Sequence, residues 1–336
     1  MIDARNARFR MSRKAGSAGG GLVDGYRYGV LDSGEARIVI DVENGTQVGK
    51  IVRRKLRDNL HKLSISLING KSTAQQAPCD GVAGPVRQAS ALGSGLSAEA
   101  RRKSQPSKPV VVIDPGHGGI DPGAVVNKVY LEKIIALAVA RRLAKRLRKI
   151  KRFNVVMTRD GDTFVSLDGR VERARSSKAD LFISLHADSL DDTEQAKQTH
   201  GAAVYILSHQ ASDAEARRLA EKENAADLLA GILPSKTTED GVRDILVDLL
   251  KRETERESAR LRRLLVAKMR PKVVVSRKPL RSAAFRVLKQ TETPAALIEL
   301  GYMTNAADLR RMRRADWQDR MAVAVAAAIE QFFLEK

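Results

Sequence analysis

With 336 residues, the chain is long enough for one large domain and a smaller one. Its 60 lysines and arginines against 40 aspartates and glutamates give a net charge of +20, which favours anionic partners such as nucleic acid, an anionic membrane or an acidic polymer. The single cysteine, Cys79, excludes an internal disulfide framework. No apolar run reaches the length of about 18 residues that a membrane span needs, and the basic amino terminus lacks the apolar segment of a signal peptide. We therefore expect neither a transmembrane helix nor a signal peptide in this sequence.

Composition divides the amino-terminal part of the chain into three segments. Residues 1–22 are basic and rich in glycine and serine, which predicts a disordered tail. Residues 23–69 alternate apolar and polar positions, with strands predicted at Ala36–Val42 and Leu63–Leu67, so we expect a small β-rich unit there. Residues 70–108 are rich in Gly, Ser, Pro and Ala without a sustained period, which predicts a linker.

Strand and helix patterns alternate from residue 109 to residue 336. This alternation predicts an α/β domain with an open, mostly parallel sheet that is flanked by helices. A helical insert is predicted at residues 212–269, because apolar residues recur there at three- and four-residue steps. The predicted strands are Val110–Ile113, Asn154–Thr158, Leu181–Leu185, Gly201–Leu207, Phe285–Leu288 and Ala295–Leu300, and helices are predicted at Leu167–Lys178 and Trp317–Leu334.

Two predicted strands end in a histidine. The apolar run Val110–Ile113 is stopped by turn residues and followed by His117 between glycines, and Leu181–Leu185 is followed at once by His186. Glu132 stands at the start of an apolar-periodic helix. A lone histidine after a strand is usually structural, but two imidazoles and one carboxylate at the carboxyl edge of a sheet are the ligands of a catalytic zinc site. The pattern therefore predicts Zn²⁺ binding.

Glu299 lies inside the apolar run Ala295–Leu300, just before Gly301. A carboxylate in such a run is costly unless it is paired, bound to a metal or protonated. A structural salt bridge and a catalytic role both remain open for this residue.

Seven motifs together resemble a known family, the zinc-dependent N-acetylmuramoyl-L-alanine amidases of bacterial cell division. The resemblance covers roughly Lys108 to Phe333. It implies that His117, Glu132 and His186 are zinc ligands and that Glu299 is the catalytic carboxylate. The motifs are Val112-Ile-Asp-Pro-Gly-His-Gly-Gly119, Leu131-Glu-Lys133, Val156-Met-Thr-Arg159, Leu167-Asp-Gly-Arg-Val171, Ser184-Leu-His-Ala-Asp188, Phe285-Arg-Val-Leu288 and Ala296-Leu-Ile-Glu-Leu-Gly301.

The same resemblance implies a function and its regulation. The expected reaction is hydrolysis of the amide bond between N-acetylmuramic acid and L-alanine in peptidoglycan, in the periplasm, during daughter-cell separation. The helical insert would cover the zinc site with Glu223 as an inhibitory ligand until a protein activator displaces it, although Glu223 on an ordinary surface helix is the alternative. Residues 23–69 resemble part of a peptidoglycan-targeting module, and we expect a monomer.

Several alternatives compete with this interpretation. Asp114 and Asp188 are candidates for hydrogen bonds to the ligand imidazoles, as metal-bound histidines require such acceptors. A peptidoglycan-binding division scaffold without catalytic activity would carry the same motifs. Nucleic-acid binding is disfavoured by an aromatic content of 4% and by the lack of a recognised motif. A dinucleotide enzyme is disfavoured because Gly116-His-Gly-Gly119 does not follow the G-x-G-x-x-G spacing.

Overall fold

The computed structural model describes residues 1–4, 20–57, 60–69, 108–190, 199–230, 232, 245–290 and 292–335. The chain forms two compact units, one of residues 1–18, 25–41 and 108–336 and the other of residues 19–24 and 42–107. The predicted β-rich segment 23–69 is thus divided, since residues 25–41 belong to the larger unit. No helix within the described ranges is both long enough and apolar enough to cross a membrane.

Fourteen strands and seven α-helices make up the described parts of the chain. The strands are β1 (Ile2–Ala4), β2 (Val23–Leu31), β3 (Ala36–Val42), β4 (Thr46–Arg57), β5 (Leu60–Asn69), β6 (Val110–Pro115), β7 (Val125–Val126), β8 (Tyr130–Leu131), β9 (Asn154–Met157), β10 (Thr163–Phe164), β11 (Leu181–His186), β12 (Ala202–Leu207), β13 (Val275–Ala283) and β14 (Ala295–Glu299). The helices are α1 (Glu132–Ile150), α2 (Leu167–Ser176), α3 (Ala214–Asn224), α4 (Ala226–Leu229), α5 (Ile245–Met269), α6 (Ala306–Met312) and α7 (Ala315–Leu334).

A six-stranded, mostly parallel sheet forms the centre of the larger unit, in the order β13-β12-β14-β11-β6-β9. Strands β9, β6, β11 and β14 run parallel to one another, and β12 runs antiparallel to β14. The predicted α/β fold is therefore confirmed. Because the central strands are buried on both faces, they consist of continuous apolar runs. Their carboxyl ends meet at one edge of the sheet.

Helices cover both faces of this sheet. Helices α1, α5 and α7 contribute to the apolar core on one face, and helices α2 and α3 to the core on the other. In α1 the buried side chains Ile135, Val139, Leu143 and Leu147 recur at four-residue steps, so one stripe faces the sheet. Burial of each such side chain stabilises the fold by roughly 1.5–3 kcal/mol. The basic residues of α1 lie mostly on the opposite, exposed face.

One predicted strand was wrong, and one strand of the sheet was not predicted. Phe285–Leu288 was predicted as a strand, but Arg286–Leu288 form a 3-10 turn whose hydrogen bonds are local. Its apolar residues are buried as strand residues would be, so the sequence pattern alone misleads. Strand β13 was missed because it contains Pro279 and several charged residues. Such a sequence is tolerated there because β13 is the edge strand of the sheet.

The amino-terminal strands of the larger unit form a second sheet, in the order β1-β3-β2-β10. Ile2–Ala4 pairs with β3, so the predicted disordered tail was wrong at these residues, and residues 5–19 lie outside the described part. The predicted linker, 70–108, also lies outside it except for residue 108. Arg37 in β3 donates a hydrogen bond of 2.7 Å from Nη1 to the carbonyl oxygen of Ala230, just after α4. The hairpin of β4 and β5 belongs to the smaller unit.

Candidate metal centre

Three adjacent parallel strands deliver polar residues to one edge of the central sheet. His186 is the last residue of β11 and Glu299 is the last residue of β14. His117 follows β6, whose continuation is tied to β11 by a hydrogen bond of 2.9 Å from the Gly116 nitrogen to the Leu185 oxygen. Residues far apart in the sequence are thereby brought to one place, as the carboxyl edge of an α/β sheet commonly does.

The glycines around His117 leave room for the site. A side chain at Gly116 would collide with the imidazole of His186, and one at Gly123 would lie 2.6 Å from Cδ2 of His117 and 2.7 Å from Oε2 of Glu132. His117 itself has a φ of 58°, a left-handed conformation that non-glycine residues rarely adopt. The loop is thus closely packed around a strained histidine.

Glu132 is the first residue of α1, where the helix dipole favours a negative charge. Its Oε1 accepts a hydrogen bond of 2.8 Å from the Ala187 nitrogen, and its Oε2 accepts one of 2.9 Å from the Ala124 nitrogen. Burial alone would raise the pKa of this carboxyl, but the imidazoles of His117 and His186 hold its pKa well below the ordinary value. Glu132 is therefore an anion in a fixed orientation.

The two imidazoles and two carboxylates converge on a common point. Nε2 of His117 lies 3.1 Å from Oε1 of Glu132 and 3.3 Å from Oε2 of Glu223. Nδ1 of His186 lies 3.2 Å and 3.1 Å from the same two oxygens. One ligand atom from each of the four residues lies within 4.8 Å of all the others, and all four residues are buried.

A divalent metal ion fits this arrangement. Nε2 of His117, Nδ1 of His186 and Oε1 of Glu223 are buried without a hydrogen-bond partner among the described residues. The distances of 3.1–3.3 Å from these two ring nitrogens to the oxygens of Glu132 and Glu223 are therefore ion-pair distances without hydrogen-bond geometry. Unpaired buried polar atoms are costly, and a shared cation would satisfy them together. Imidazole nitrogens with a carboxylate oxygen are the donor set that Zn²⁺ prefers, although several transition metals accept it.

The pKa shifts of the two imidazoles follow from the carboxylates that surround them. Burial lowers the pKa of His117, but Asp121, Glu132 and Glu223 outweigh burial and raise that pKa well above its ordinary value. Burial likewise lowers the pKa of His186, whereas Glu223 and Glu132 raise it to about 10. The carboxylates that raise these pKa values would equally attract a cation.

Asp121 orients the imidazole of His117. Its Oδ2 lies 2.8 Å from Nδ1 of His117, so Nε2 is the nitrogen directed at the common point. Sequence reasoning missed Asp121, although its position four residues after His117 in the same glycine-rich loop was a signal.

The carboxylates suggested from the sequence for this purpose have other partners. Asp114 accepts hydrogen bonds from Thr158 (2.5 Å), Ser184 (2.7 Å) and Arg170 (2.6 Å). Asp188 pairs with the ammonium group of Lys222. As partners of the imidazoles, both suggestions were wrong.

Glu299 is fully buried beside the cluster. Its Oε2 accepts a hydrogen bond of 3.1 Å from the Asp188 nitrogen, and its Oε1 has no hydrogen-bond partner in the described part of the chain. Burial, together with the negative charges of Glu132 and Asp188, raises the pKa of Glu299 well above its ordinary value, although His186 lowers it. A buried carboxyl group whose pKa is shifted in this way is a candidate for proton transfer.

Glu223 reaches the cluster from helix α3. Asp213 caps this helix by accepting a hydrogen bond of 2.8 Å from the Ala216 nitrogen. Near its start, Glu215 accepts a hydrogen bond of 3.1 Å from the Tyr302 hydroxyl and pairs with Arg281 at 3.0 Å. At its end, Lys222 pairs with Asp188. The helix is thus attached at both ends, and Glu223 is only 5% exposed.

Comparison with known proteins identifies the family to which the chain belongs. A family profile described as N-acetylmuramoyl-L-alanine amidase matches residues 111–331. The chain belongs to the N-acetylmuramoyl-L-alanine amidase family. The matched segment of the amidase contains all the candidate site residues, namely His117, Glu132, His186, Glu223 and Glu299.

Individual amidases are similar to this chain in sequence or in structure. The amidase AmiA from Escherichia coli K12 is 36% identical over 239 residues, which cover 70% of this chain and 80% of AmiA. AmiC from Escherichia coli O6:H1 is 33% identical over 227 residues, which cover 67% of this chain and 53% of AmiC. The structure of the CwlD amidase from Clostridioides difficile in complex with the GerS lipoprotein has a TM-score of 0.50 and 19% identity, and covers 68% of this chain and 100% of CwlD. The likeness to CwlD shows a shared fold.

Proposed function

We propose that this protein hydrolyses the amide bond between N-acetylmuramic acid and L-alanine in peptidoglycan, with Zn²⁺ held by His117, Glu132 and His186. One observation carries the proposal. The two ring nitrogens Nε2 and Nδ1 are buried without hydrogen-bond partners in the described structure and lie within 3.2 Å of the same oxygen of Glu132. Family membership gives the substrate class and the bond that is cleaved.

A bound zinc ion would supply Lewis acidity, lowering the pKa of a water toward about 7 and polarising the amide carbonyl. Glu299 takes a proton from the attacking water on Oε1, which has no partner among the described residues, and then gives that proton to the leaving nitrogen of L-alanine. The hydrogen bond from the Asp188 nitrogen fixes the other oxygen of Glu299. Asp121 keeps His117 in the orientation that leaves Nε2 available.

Glu223 is proposed as an inhibitory ligand. Its Oε2 lies within 3.3 Å of both ligand nitrogens and so takes the position that a substrate carbonyl or water needs. Activity then requires that the Glu223 carboxylate leave the cluster, which we assign to a protein activator acting on helix α3. An amidase of the same fold, CwlD, is in complex with a lipoprotein in its solved structure.

The cellular setting follows from the substrate. Peptidoglycan lies outside the cytoplasmic membrane, so we place the protein in the periplasm, as a monomer that acts in cell-wall remodelling and daughter-cell separation. Residues 23–69 are proposed to bind peptidoglycan and so to concentrate the enzyme on its substrate.

Digestion of purified peptidoglycan tests the proposal. The zinc-loaded Glu223→Ala protein is incubated with purified cell wall, and the soluble products are analysed by mass spectrometry. We expect free stem peptides that begin with L-alanine. Wild type should release few of them, and Glu221→Ala, which alters an exposed carboxylate of the same helix, should behave as wild type. If zinc-loaded Glu223→Ala releases no stem peptides, the function is wrong and a non-catalytic scaffold gains support.

A further inference from the structure

Two buried arginines bind the loop that carries His117. Arg159 donates from Nε to the Pro115 oxygen at 2.9 Å and from Nη2 to the Gly116 oxygen at 2.7 Å. Arg170 donates from Nη1 to the Pro115 oxygen at 2.8 Å and from Nη2 to the His117 oxygen at 2.9 Å. Three consecutive carbonyl groups are therefore held by two guanidinium groups.

This arrangement is costly. Arg159 and Arg170 are 2% and 3% exposed, and both donate to the oxygen of Pro115. Burial and the nearby charge of Arg170 lower the pKa of Arg159 to about 10. Asp114 pairs with Arg170, whereas every hydrogen bond of Arg159 in the described structure goes to a backbone oxygen. We take this cost as an indication that the geometry enforced by the two arginines serves the site.

The enforced geometry is the backbone of His117. Its φ of 58° lies in the left-handed region, which a residue with a side chain occupies only when its surroundings hold it there. The carbonyl groups of Gly116 and His117 flank this residue, and each is bound by one of the two arginines. If these carbonyl groups were free to rotate, the imidazole would leave the common point.

The same network reaches the segments that carry the other two proposed ligands. Nη2 of Arg159 also donates to the Lys133 oxygen at 2.9 Å, next to Glu132 in the first turn of α1. Asp114, the partner of Arg170, accepts a hydrogen bond of 2.7 Å from Ser184, two residues before His186. All three ligand-bearing segments are thereby joined, through the two arginines and, for the His186 strand, through Asp114 and Ser184 as well.

We propose that Arg159 and Arg170 are positioning residues for the metal centre, which hold His117 in its left-handed conformation and keep its Nε2 aligned with Glu132 and His186. The proposal rests on the proposed function, because it takes these three residues as the ligands. Both arginines are buried and donate to carbonyl groups of the loop. Their effect passes through the backbone.

The test measures metal binding rather than turnover. Zn²⁺ affinity of the full chain is measured by competition with a chromophoric chelator, for Arg159→Lys, Arg170→Lys and a matched control, Arg173→Lys. Arg173 lies on the same helix as Arg170 and donates to the Thr158 oxygen at 2.7 Å, without contacting the His117 loop. Lysine keeps the positive charge but cannot bind two carbonyl groups in a fixed fork. A change in Zn²⁺ affinity therefore reports a change in the geometry of the His117 loop and not a loss of charge.

We expect Arg159→Lys and Arg170→Lys to bind Zn²⁺ at least about 10-fold more weakly than wild type, because residues that orient metal ligands typically contribute that much. The Zn²⁺ affinity of Arg173→Lys should stay within about twofold of wild type, because Arg173 binds the Thr158 oxygen and does not orient a ligand. The absorption spectrum of bound Co²⁺ should change in the first two variants only. Folded variants with wild-type affinity and spectrum would show that the arginines serve only stability and would overturn the proposal.

Two further outcomes are decisive. If Arg170→Lys does not fold because Asp114 loses its partner, Arg159→Lys decides the question, since it leaves no carboxylate unpaired in the described structure. If wild type itself binds no Zn²⁺, the proposed function fails and this inference fails with it. If wild type binds Zn²⁺ and the folded arginine variants bind it with equal affinity, the positioning role of the arginines is wrong but the proposed function stands.

Discussion

His186 and Glu299 are register partners on the adjacent parallel strands β11 and β14, and each is the last residue of its strand. Side chains at paired positions of neighbouring parallel strands leave the sheet on the same face. The register therefore places a proposed ligand imidazole beside a fully buried carboxyl group whose Oε1 has no partner in the described structure. This pairing allows binding and proton transfer to be assigned to separate residues.

We expect Glu299→Gln, made in the activated Glu223→Ala protein, to lose turnover while keeping its metal. Glutamine has the same shape and can still accept the hydrogen bond from the Asp188 nitrogen, but it cannot take a proton from water. Loss of a general base typically lowers the rate by about 10²–10⁴-fold. Stem-peptide release and zinc content would be measured on the same sample. Retained turnover at full zinc content would remove Glu299 from the mechanism.

Lys222→Ala should weaken the hold of helix α3 on the site and raise the basal activity. Lys222 pairs with the buried carboxylate of Asp188, next to Glu223 on the same helix. The lysine side chain is 48% exposed, so we expect a pair worth at most about 1 kcal/mol and an activation of no more than about fivefold. Arg217→Ala, an exposed change on the same helix, is the control. Equal basal activities of Lys222→Ala and wild type would show that this ion pair does not restrain the helix.

Local sequence signals were enough for the central strands β6 and β11 and for the residues that follow them. The runs Val110–Ile113 and Leu181–Leu185 are continuous and apolar, and each is followed by residues that stop a strand. From this, the sequence could predict that His117 and His186 lie at one edge of a sheet. The structure brings them together with Glu132 and Glu223, and the function of each remains a proposal.

The features that the sequence did not reveal depend on contacts between residues that are far apart in the chain. Arg170 binds the oxygen of His117, 53 residues away, and no local pattern reveals such a contact. Strand β13 contains Pro279, which local rules exclude from a central strand and only the position at the sheet edge permits. Residues 25–41 join the larger unit through the pairing of β2 with β10, another contact between distant segments.

Asp121→Asn should weaken metal binding about 10- to 100-fold. The aspartate accepts a hydrogen bond from Nδ1–H of His117, and this tautomer leaves a lone pair on Nε2 for a metal ion. The asparagine amide can instead donate to Nδ1, so the proton moves to Nε2 and that nitrogen cannot bind a cation. Zn²⁺ affinity by chelator competition is the measurement, and Asp160→Asn, which alters an exposed partner of Arg141, is the control. Similar affinities for the two variants would show that Asp121 does not set the tautomer.

Asp114→Asn should lower stability at neutral pH and should matter less in acid. Burial raises the pKa of Asp114, but Arg170, Thr158 and Ser184 outweigh burial, so the pKa lies below its ordinary value. Such a carboxyl stabilises the folded state above its unfolded pKa of about 3.9, and this contribution is lost as the pH falls through the lower, folded pKa. At pH 7, removal of one partner of a buried pair costs about 3–5 kcal/mol.

The free energy of unfolding, measured by urea titration of the metal-free protein between neutral and acidic pH, checks this expectation. The curves of wild type and Asp114→Asn should lie apart at neutral pH and approach each other below about pH 4, where wild type takes up the proton that asparagine cannot. Asp319→Asn is the control, because its partner Arg142 and the carboxylate itself are largely solvated, at 34% and 60% exposure. We expect that substitution to change stability by less than about 1 kcal/mol. A constant gap between wild type and Asp114→Asn at every pH would mean that the carboxylate of Asp114 contributes nothing through its charge.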